Sequence, residues 1–203
     1  MSGKGRFVTF EGIDGSGKST QARLLAEHLQ GTGREVILTR EPGGSEGAEE
    51  IRKLVLEGAA ETELLLFTAA RRDHLERLIE PALAAGKMVI CDRFADSTRM
   101  YQGLSRGDLR QKVDALHELM IGREPDLTVL IDMDPGTGLE RALSRGGSEE
   151  RFESFGASLQ AQMRQGFLDL ADEFSDRFVV VDGNRGIEAI AADVRAAVEP
   201  RLT

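Results

Sequence analysis

The 203-residue sequence predicts an α/β fold of three layers, a five-stranded parallel sheet with helices on both faces and a lid segment. Three observations predict it. Short apolar or β-branched runs alternate with segments of helical period along the whole chain. A glycine-rich stretch joins the first apolar run to the first helical segment. The distinctive residues fall just after strand-like runs, where open parallel sheets gather their ligands.

The first run, Phe7–Phe10, is read as a buried strand, and Gly12-Ile-Asp-Gly-Ser-Gly-Lys-Ser19 follows it. That stretch matches G-x-x-x-x-G-K-[ST], the phosphate-cradling loop of P-loop nucleotide-binding proteins. Gly12, Gly15 and Gly17 let the backbone curl, so that the N–H groups of the loop, through Ile13, Asp14 and Ser16, aim at an anion. Lys18 supplies charge for the β/γ-phosphates and Ser19 a hydroxyl for Mg²⁺. The helix expected over 19–30, Thr20 in its first turn, directs its positive end at the same phosphates. The chain is therefore expected to bind a nucleoside triphosphate.

Further strands are expected at Val36–Thr39, Met88–Cys91, Leu127–Asp132 and Phe178–Val181, all fully buried. Helices are expected at 46–57, 61–85, 109–121, 138–144, 159–174 and 187–198. After the second strand, Arg40-Glu-Pro-Gly-Gly44 reads either as a tight exposed turn or as a turn giving Arg40 to a phosphate of a second substrate. After the third, Asp92 stands where a P-loop protein places its second carboxylate for Mg²⁺, and the planar fork of Arg93 suits a phosphate. Arg141, Arg145 and Arg151 surround Gly146-Gly147. That polar segment fits a surface loop, or a mobile flap closing arginines over a nucleotide. Asp182–Arg185 fits a turn or the border of a purine site.

Bulk composition narrows the function classes. With 40% hydrophobic and 30% charged residues, one globular domain spanning 1–203 is expected. No apolar run approaches the roughly 20 residues of a membrane span. The basic Met1–Arg6 has no apolar signal core behind it. A single cysteine, Cys91, gives no disulfide framework and no cysteine metal cluster, so a cytoplasmic protein is expected. The net charge of −9 argues against a general nucleic-acid binder but not against nucleotides, for which a few local cations suffice. His28, His74 and His117 lie in helical segments and are read as surface or core residues.

Taken together, the motifs resemble those of the thymidylate kinase family. Phe10-Glu-Gly-Ile-Asp-Gly-Ser-Gly-Lys-Ser-Thr20 is similar to the family's P-loop, and Thr39-Arg-Glu-Pro-Gly-Gly44 to its second signature. Asp92-Arg93-Phe94 resembles its D-R-[YH] motif, and Asp96-Ser-Thr-Arg-Met-Tyr-Gln-Gly103 its S-x-x-A-Y-Q-G stretch. The similarity runs from about Arg6 to Phe155. It implies transfer of the ATP γ-phosphate to dTMP, with Mg²⁺ held by Ser19 and Asp92. It further implies that Asp14 accepts from the sugar 3′-hydroxyl, that Phe67 stacks on thymine and that Arg71 bonds a thymine carbonyl. Ser97, Thr98 and Gln102 would contact the base or its surroundings. Tyr101 would crowd the 2′ position, and Arg93 with Arg40 would hold the monophosphate.

The P-loop carries no arginine, so the resemblance points to the bacterial type. There the lid, about 141–153, supplies the cation: Arg145 first, Arg141 or Arg151 next. A homodimer, through the 61–85 segment, is also implied. Phe94 stands for the usual Tyr or His, Met100 for the usual Ala, and Glu149-Glu150-Arg151 departs from the family's lid pair. Two other readings remain: another nucleoside or nucleotide kinase with a different base pocket, and a nucleotide-gated switch protein, which would need only the P-loop and metal.

Overall fold

The computed structural model describes residues 5–55, 60–104, 109–144 and 156–201, with positions 60, 156 and 157 described for their backbone only. Five strands, β1 (Arg6–Glu11), β2 (Val36–Arg40), β3 (Met88–Asp92), β4 (Leu127–Asp132) and β5 (Phe178–Asp182), form one parallel sheet in the order β2-β3-β1-β4-β5. The helices are α1 (Lys18–Gly31), α2 (Glu46–Val55), α3 (Ala60–His74), α4 (Glu80–Ala84), α5 (Ala95–Thr98), α6 (Arg110–Leu116), α7 (Pro135–Ser144), α8 (Gly156–Glu173) and α9 (Ile187–Val198).

The alternation of side chains along β1 builds two cores. Val8 and Phe10 point to one face, joining Leu25 and Leu29 of α1 and Ile190 and Val194 of α9. Phe7 points to the other, against Leu75, Ile79, Val89 and Phe94. A third cluster forms around Leu130, Phe167 and Tyr101, beneath α8.

The expected strands and helices occur, with ends shifted by up to three residues, since helix and strand ends are the least fixed part of an element. Four features differ from expectation, one being that the expected 109–121 helix is α6 followed by a π turn at His117–Ile121. β2 and β5 are the sheet's edges and are only partly covered: Leu38 is 44% and Val180 46% exposed. An apolar run looks the same at an edge as at the centre, because its place in the sheet is set by other segments. The expected 61–85 helix is α3, a widened π turn at Leu75–Ile79, and α4. The wide turn precedes Pro81, which has no N–H to donate and would crowd an ordinary preceding turn. Residues 95–104, with no helix expected, are α5 followed by another π turn, Arg99–Leu104. Its side chains are buried on nearly all sides, which erased the amphipathic period.

Parallel β1 and β3 are neighbours in register, Phe10 opposite Asp92. The loops leaving their carboxyl ends are thereby side by side, and they carry the two motifs singled out above.

Candidate active site

At the end of β1 the chain turns through Gly12–Gly17 and enters α1. Gly17 takes φ +91° at the helix N-cap, a left-handed conformation that any Cβ would strain. Gly15 has another role: a Cβ there would run into the carbonyl oxygen of Gly138, so α7 packs directly on the loop. The first turn of α1 holds no acidic side chain, leaving its positive end for an external anion.

Lys18 is 6% exposed. Its Nζ donates to the Ile13 carbonyl at 3.1 Å and lies 3.8 Å from Asp14. Burial, then the charge of Arg93, depresses its pKa, while Asp14, Asp92 and Glu11 pull the other way. Lys18 is a desolvated cation whose ion pair with Asp14 is long, and a phosphate would bring a closer counter-charge.

Asp92 ends β3 with Oδ1 buried and without a hydrogen-bond donor. An orphaned carboxylate oxygen near Lys18 and the loop suits a cation. Ser19, at the start of α1, is exposed. Among the described residues no group of three or more His, Cys, Asp or Glu side chains is arranged to hold a metal. Mg²⁺ fits this donor set nonetheless, since it commonly takes one or two protein oxygens and completes its shell with substrate phosphates and water.

Beside the loop opens a cavity of about 800 Å³ including its solvent-filled mouth. Asp14 bridges loop and cavity. Its carboxylate pairs with the Arg93 guanidinium on one oxygen, and Tyr101 donates to the other at 3.1 Å. Despite burial, Arg93 and Lys18 hold the Asp14 carboxyl below its usual range. Arg93 adopts φ +71°, the one described non-glycine residue with positive φ. Its guanidinium also donates to Ser97 Oγ at 3.0 Å and stacks 5.1 Å from the Tyr101 ring centre. Burial works against its charge, but the phenol of Tyr101 and the carboxylates of Asp14, Asp92 and Glu11 raise its pKa further. Tyr101 stays a neutral donor, its phenol pushed upward chiefly by burial.

The far wall of the cavity comes from α3. Phe67 is half-buried and belongs to none of the three apolar clusters; its ring faces the cavity lining instead. Arg71, one turn on, is 4% exposed. Its Nε donates to Glu41 at 2.7 Å, and its Nη2 to the Phe94 carbonyl and Thr98 Oγ1, both at 3.0 Å. Thr98, Ser97 and Gln102 line the same cavity from α5 and the turn after it.

Several residues here had no role in the sequence reading. Glu41, tied to Arg71 and to His74 (3.1 Å), orients the guanidinium from below. His74 is thus a buried part of the support beneath the site. Glu11 is fully buried and accepts from the Phe94 N–H (2.7 Å) and Ser97 Oγ (2.6 Å). Burial, then the nearby Asp96, pushes its pKa up to about 7. Arg52 and Glu63 also belong to the cavity's surroundings. The one sequence signal was polarity: Glu11 closes an otherwise apolar strand, and Glu63 precedes an apolar run.

Arg40 stands apart from the cavity lining. It is exposed, pairs with Glu49 at 3.1 Å, donates to the Pro42 carbonyl, and does not line the cavity. Strand alternation is the reason: Thr39 and Glu41 both reach His74, so Arg40 between them faces the other way. Arg141 sits on α7, one turn beyond the Gly138 that abuts the loop, its Nη1 3.9 Å from Met133 Sδ. Arg145 and Arg151 lie outside the described residues. Asp182–Arg185 forms a turn, with Asn184 bonded to Asp182 and to the Asp134 N–H.

Of the three departures, Phe94 packs edge-on against Phe7 at 4.9 Å and under the Arg71 guanidinium, while Arg93 is oriented by Asp14 and Ser97. Met100 turns from the cavity toward α8, where Gly166 leaves room for it. The altered lid pair is not among the described residues.

A family model described as Thymidylate kinase matches residues 10–194. Over 207 residues the chain is 74% identical to the thymidylate kinase of Ruegeria pomeroyi, covering 100% of this chain and 98% of the other. It is 66% identical to that of Dinoroseobacter shibae, covering 97% of each. The crystal structure of thymidylate kinase from Ehrlichia chaffeensis matches with a TM-score of 0.76 at 37% identity, covering 96% of this chain and 98% of that one.

Proposed function

The chain belongs to the thymidylate kinase family, and from that premise we propose how its residues divide the reaction. It is an ATP-dependent nucleoside monophosphate kinase that converts dTMP to dTDP, with ADP as the second product. The observation that carries the assignment is Asp14: one carboxylate belongs to the phosphate loop and also binds Arg93 and Tyr101 of the acceptor cavity. Donor and acceptor sites share a wall.

The monoester of dTMP is already anionic near neutral pH, so its oxygen attacks the γ-phosphorus without a strong general base. The bond from that phosphorus to the β–γ bridging oxygen breaks as ADP leaves. The protein's task is positioning and charge neutralisation. Lys18 and the amides of Gly12–Thr20 hold the donor phosphates. Arg93 holds the acceptor phosphate; Arg40, turned outward, is not part of this set. Asp14 accepts from the 3′-hydroxyl, Tyr101 crowds the 2′ position, Phe67 stacks on the base, and Arg71 meets a carbonyl, with Ser97, Thr98 and Gln102 beside it. Ser19 and Asp92 would hold Mg²⁺, which when bound offsets phosphate charge.

The 1–203 chain is read as one domain with a lid at about 141–153. Alanine variants at Arg141, Arg145 and Arg151 test the lid. The dominant arginine should cost about 10³-fold in kcat, and a loss below about tenfold in all three would remove the assignment. A cytoplasmic homodimer is the accompanying reading. No described helix is long and apolar enough to cross a membrane. Exposed Leu65 on α3 and Leu119 beyond α6 support pairing near the 61–85 segment. A monomer mass in sedimentation at working concentration would end that part.

The deciding experiment is ADP release with ATP, Mg²⁺ and each nucleoside monophosphate in turn. Turnover strongly favouring dTMP is expected. Preference for another monophosphate would discard the base contacts and keep the phosphate chemistry.

A further inference from the structure

Glu63 lies on α3 with 0% exposure, two turns before Arg71 and one before Phe67, so all three share a helix face. A carboxylate there, beneath a cavity and away from the phosphate chemistry, calls for a reason. Its Oε1 accepts a hydrogen bond from Gln102 Nε2 at 2.8 Å, and Gln102 is 1% exposed and lines the acceptor cavity.

Glu63 Oε1 is the acceptor and the Gln102 nitrogen the donor. The contact therefore fixes which end of the Gln102 carboxamide is nitrogen, because a half-turn would bring oxygen against oxygen. The constraint matters because an unrestrained carboxamide is a poor reader of polarity. One way round it pairs its oxygen with an imide N–H and its nitrogen with a carbonyl; turned over, it pairs equally well with a ring nitrogen acceptor and an amino group. Thymine presents the first pattern at N3 and its flanking carbonyls, and cytosine the second at N3 and its 4-amino group. With Nε2 anchored, Gln102 keeps Oε1 as an acceptor and one remaining Nε2 hydrogen as a donor, which suits only the first. Arg71 adds to the bias: with Nε and Nη2 engaged by Glu41, Phe94 and Thr98, its Nη1 offers the base a donor, matched by a carbonyl and not by an amino group.

We propose that Glu63 is a positioning residue for base selection, holding the Gln102 carboxamide in the one orientation that accepts 4-oxo pyrimidine monophosphates and rejects 4-amino ones. The inference rests on the dTMP reading above and deepens it.

The test pairs dTMP with 5-methyl-dCMP, which differ only at position 4 and in the N3 proton. Wild type should favour dTMP in kcat/KM by about 10³-fold or more, as sites built to hydrogen-bond a substrate reject mismatched analogues strongly. Glu63→Gln replaces a carboxylate with an amide that carries a donor as well as an acceptor, so it can partner either end of the Gln102 carboxamide. The dTMP preference should drop at least about tenfold, through the KM values, with kcat at saturating dTMP changed less than about threefold. If both substrates decline together and the ratio stays within about twofold, Glu63 is merely structural and the proposal falls. Wild type using 5-methyl-dCMP as well as dTMP overturns it without any variant. Wild type turning over neither removes the dTMP reading itself.

Discussion

Arg93 is charged, desolvated and held by Asp14 and Ser97 in a backbone conformation that side chains seldom take. Such strain persists where surrounding contacts over-determine it, and it marks sites of function. Arg93→Ala should lower kcat/KM for dTMP by about 10³-fold with an unchanged far-UV spectrum; near-normal turnover would sink its assignment. Arg40→Ala should change the dTMP KM no more than about two- to threefold, as for other surface substitutions near 0.5 kcal/mol. A tenfold rise would restore Arg40 to the phosphate site.

Glu11 carries the other residue-scale prediction. Its folded pKa, about 7, lies above its ordinary 4.5, so between those values the folded chain binds the extra proton. Its contribution is full below pH 4.5 and is lost as pH rises through 7. Relative to Glu11→Gln, wild type should therefore lose up to about 3 kcal/mol of unfolding free energy between pH 4.5 and 8. Urea titrations of both proteins across that range measure it, and a constant difference would show that burial does not strain Glu11.

Among the elements, α5 and the turn after it supply Ser97, Thr98, Tyr101 and Gln102 to the cavity and press Met100 onto α8. A Cβ on Gly166 would approach Met100 Sδ to 2.6 Å and Leu104 Cδ2 to 2.9 Å. Alanine at 166 gains helix propensity of about 1 kcal/mol. Overpacking around the buried Met100 costs about 1–3 kcal/mol and should win. Gly166→Ala is thus expected to lower the thermal midpoint, whereas the same change in a Met100→Ala background should be neutral or stabilising. Equal effects in both backgrounds would show that the pair is not coupled.

Across the whole molecule, a buried charge network ties this segment to the sheet. Asp96, 0% exposed, meets Arg99 at 2.7 Å, and Arg177, just before β5, at 2.7 and 2.8 Å. Arg99 continues to Glu124 at 2.6 Å, and both guanidiniums stack on Phe174 at the end of α8. Removing one partner leaves buried charges uncompensated. Asp96→Ala should cost about 3–5 kcal/mol, seen as a lower urea midpoint at unchanged slope. A loss below about 1 kcal/mol would mean that water or rearrangement replaces the carboxylate.

The sequence by itself determined the parallel sheet and the glycine-rich loop between its first strand and first helix. Strand period and the spacing of Gly12–Ser19 are local patterns, readable wherever the chain later goes, whereas Phe67 and Arg71 were implied only by the family resemblance. Only the tertiary structure decided that β2 is an edge, that Arg40 turns outward and that residues 95–104 are helical. Each depends on neighbours distant in sequence: His74, which Thr39 and Glu41 both reach, for Arg40, and α8 with the β4 side of the sheet for Met100 and Asp96. The supporting carboxylates, Glu11, Glu41 and Glu63, were hidden for the same reason. A buried acid is defined by the donors folded against it, and those donors come from other elements.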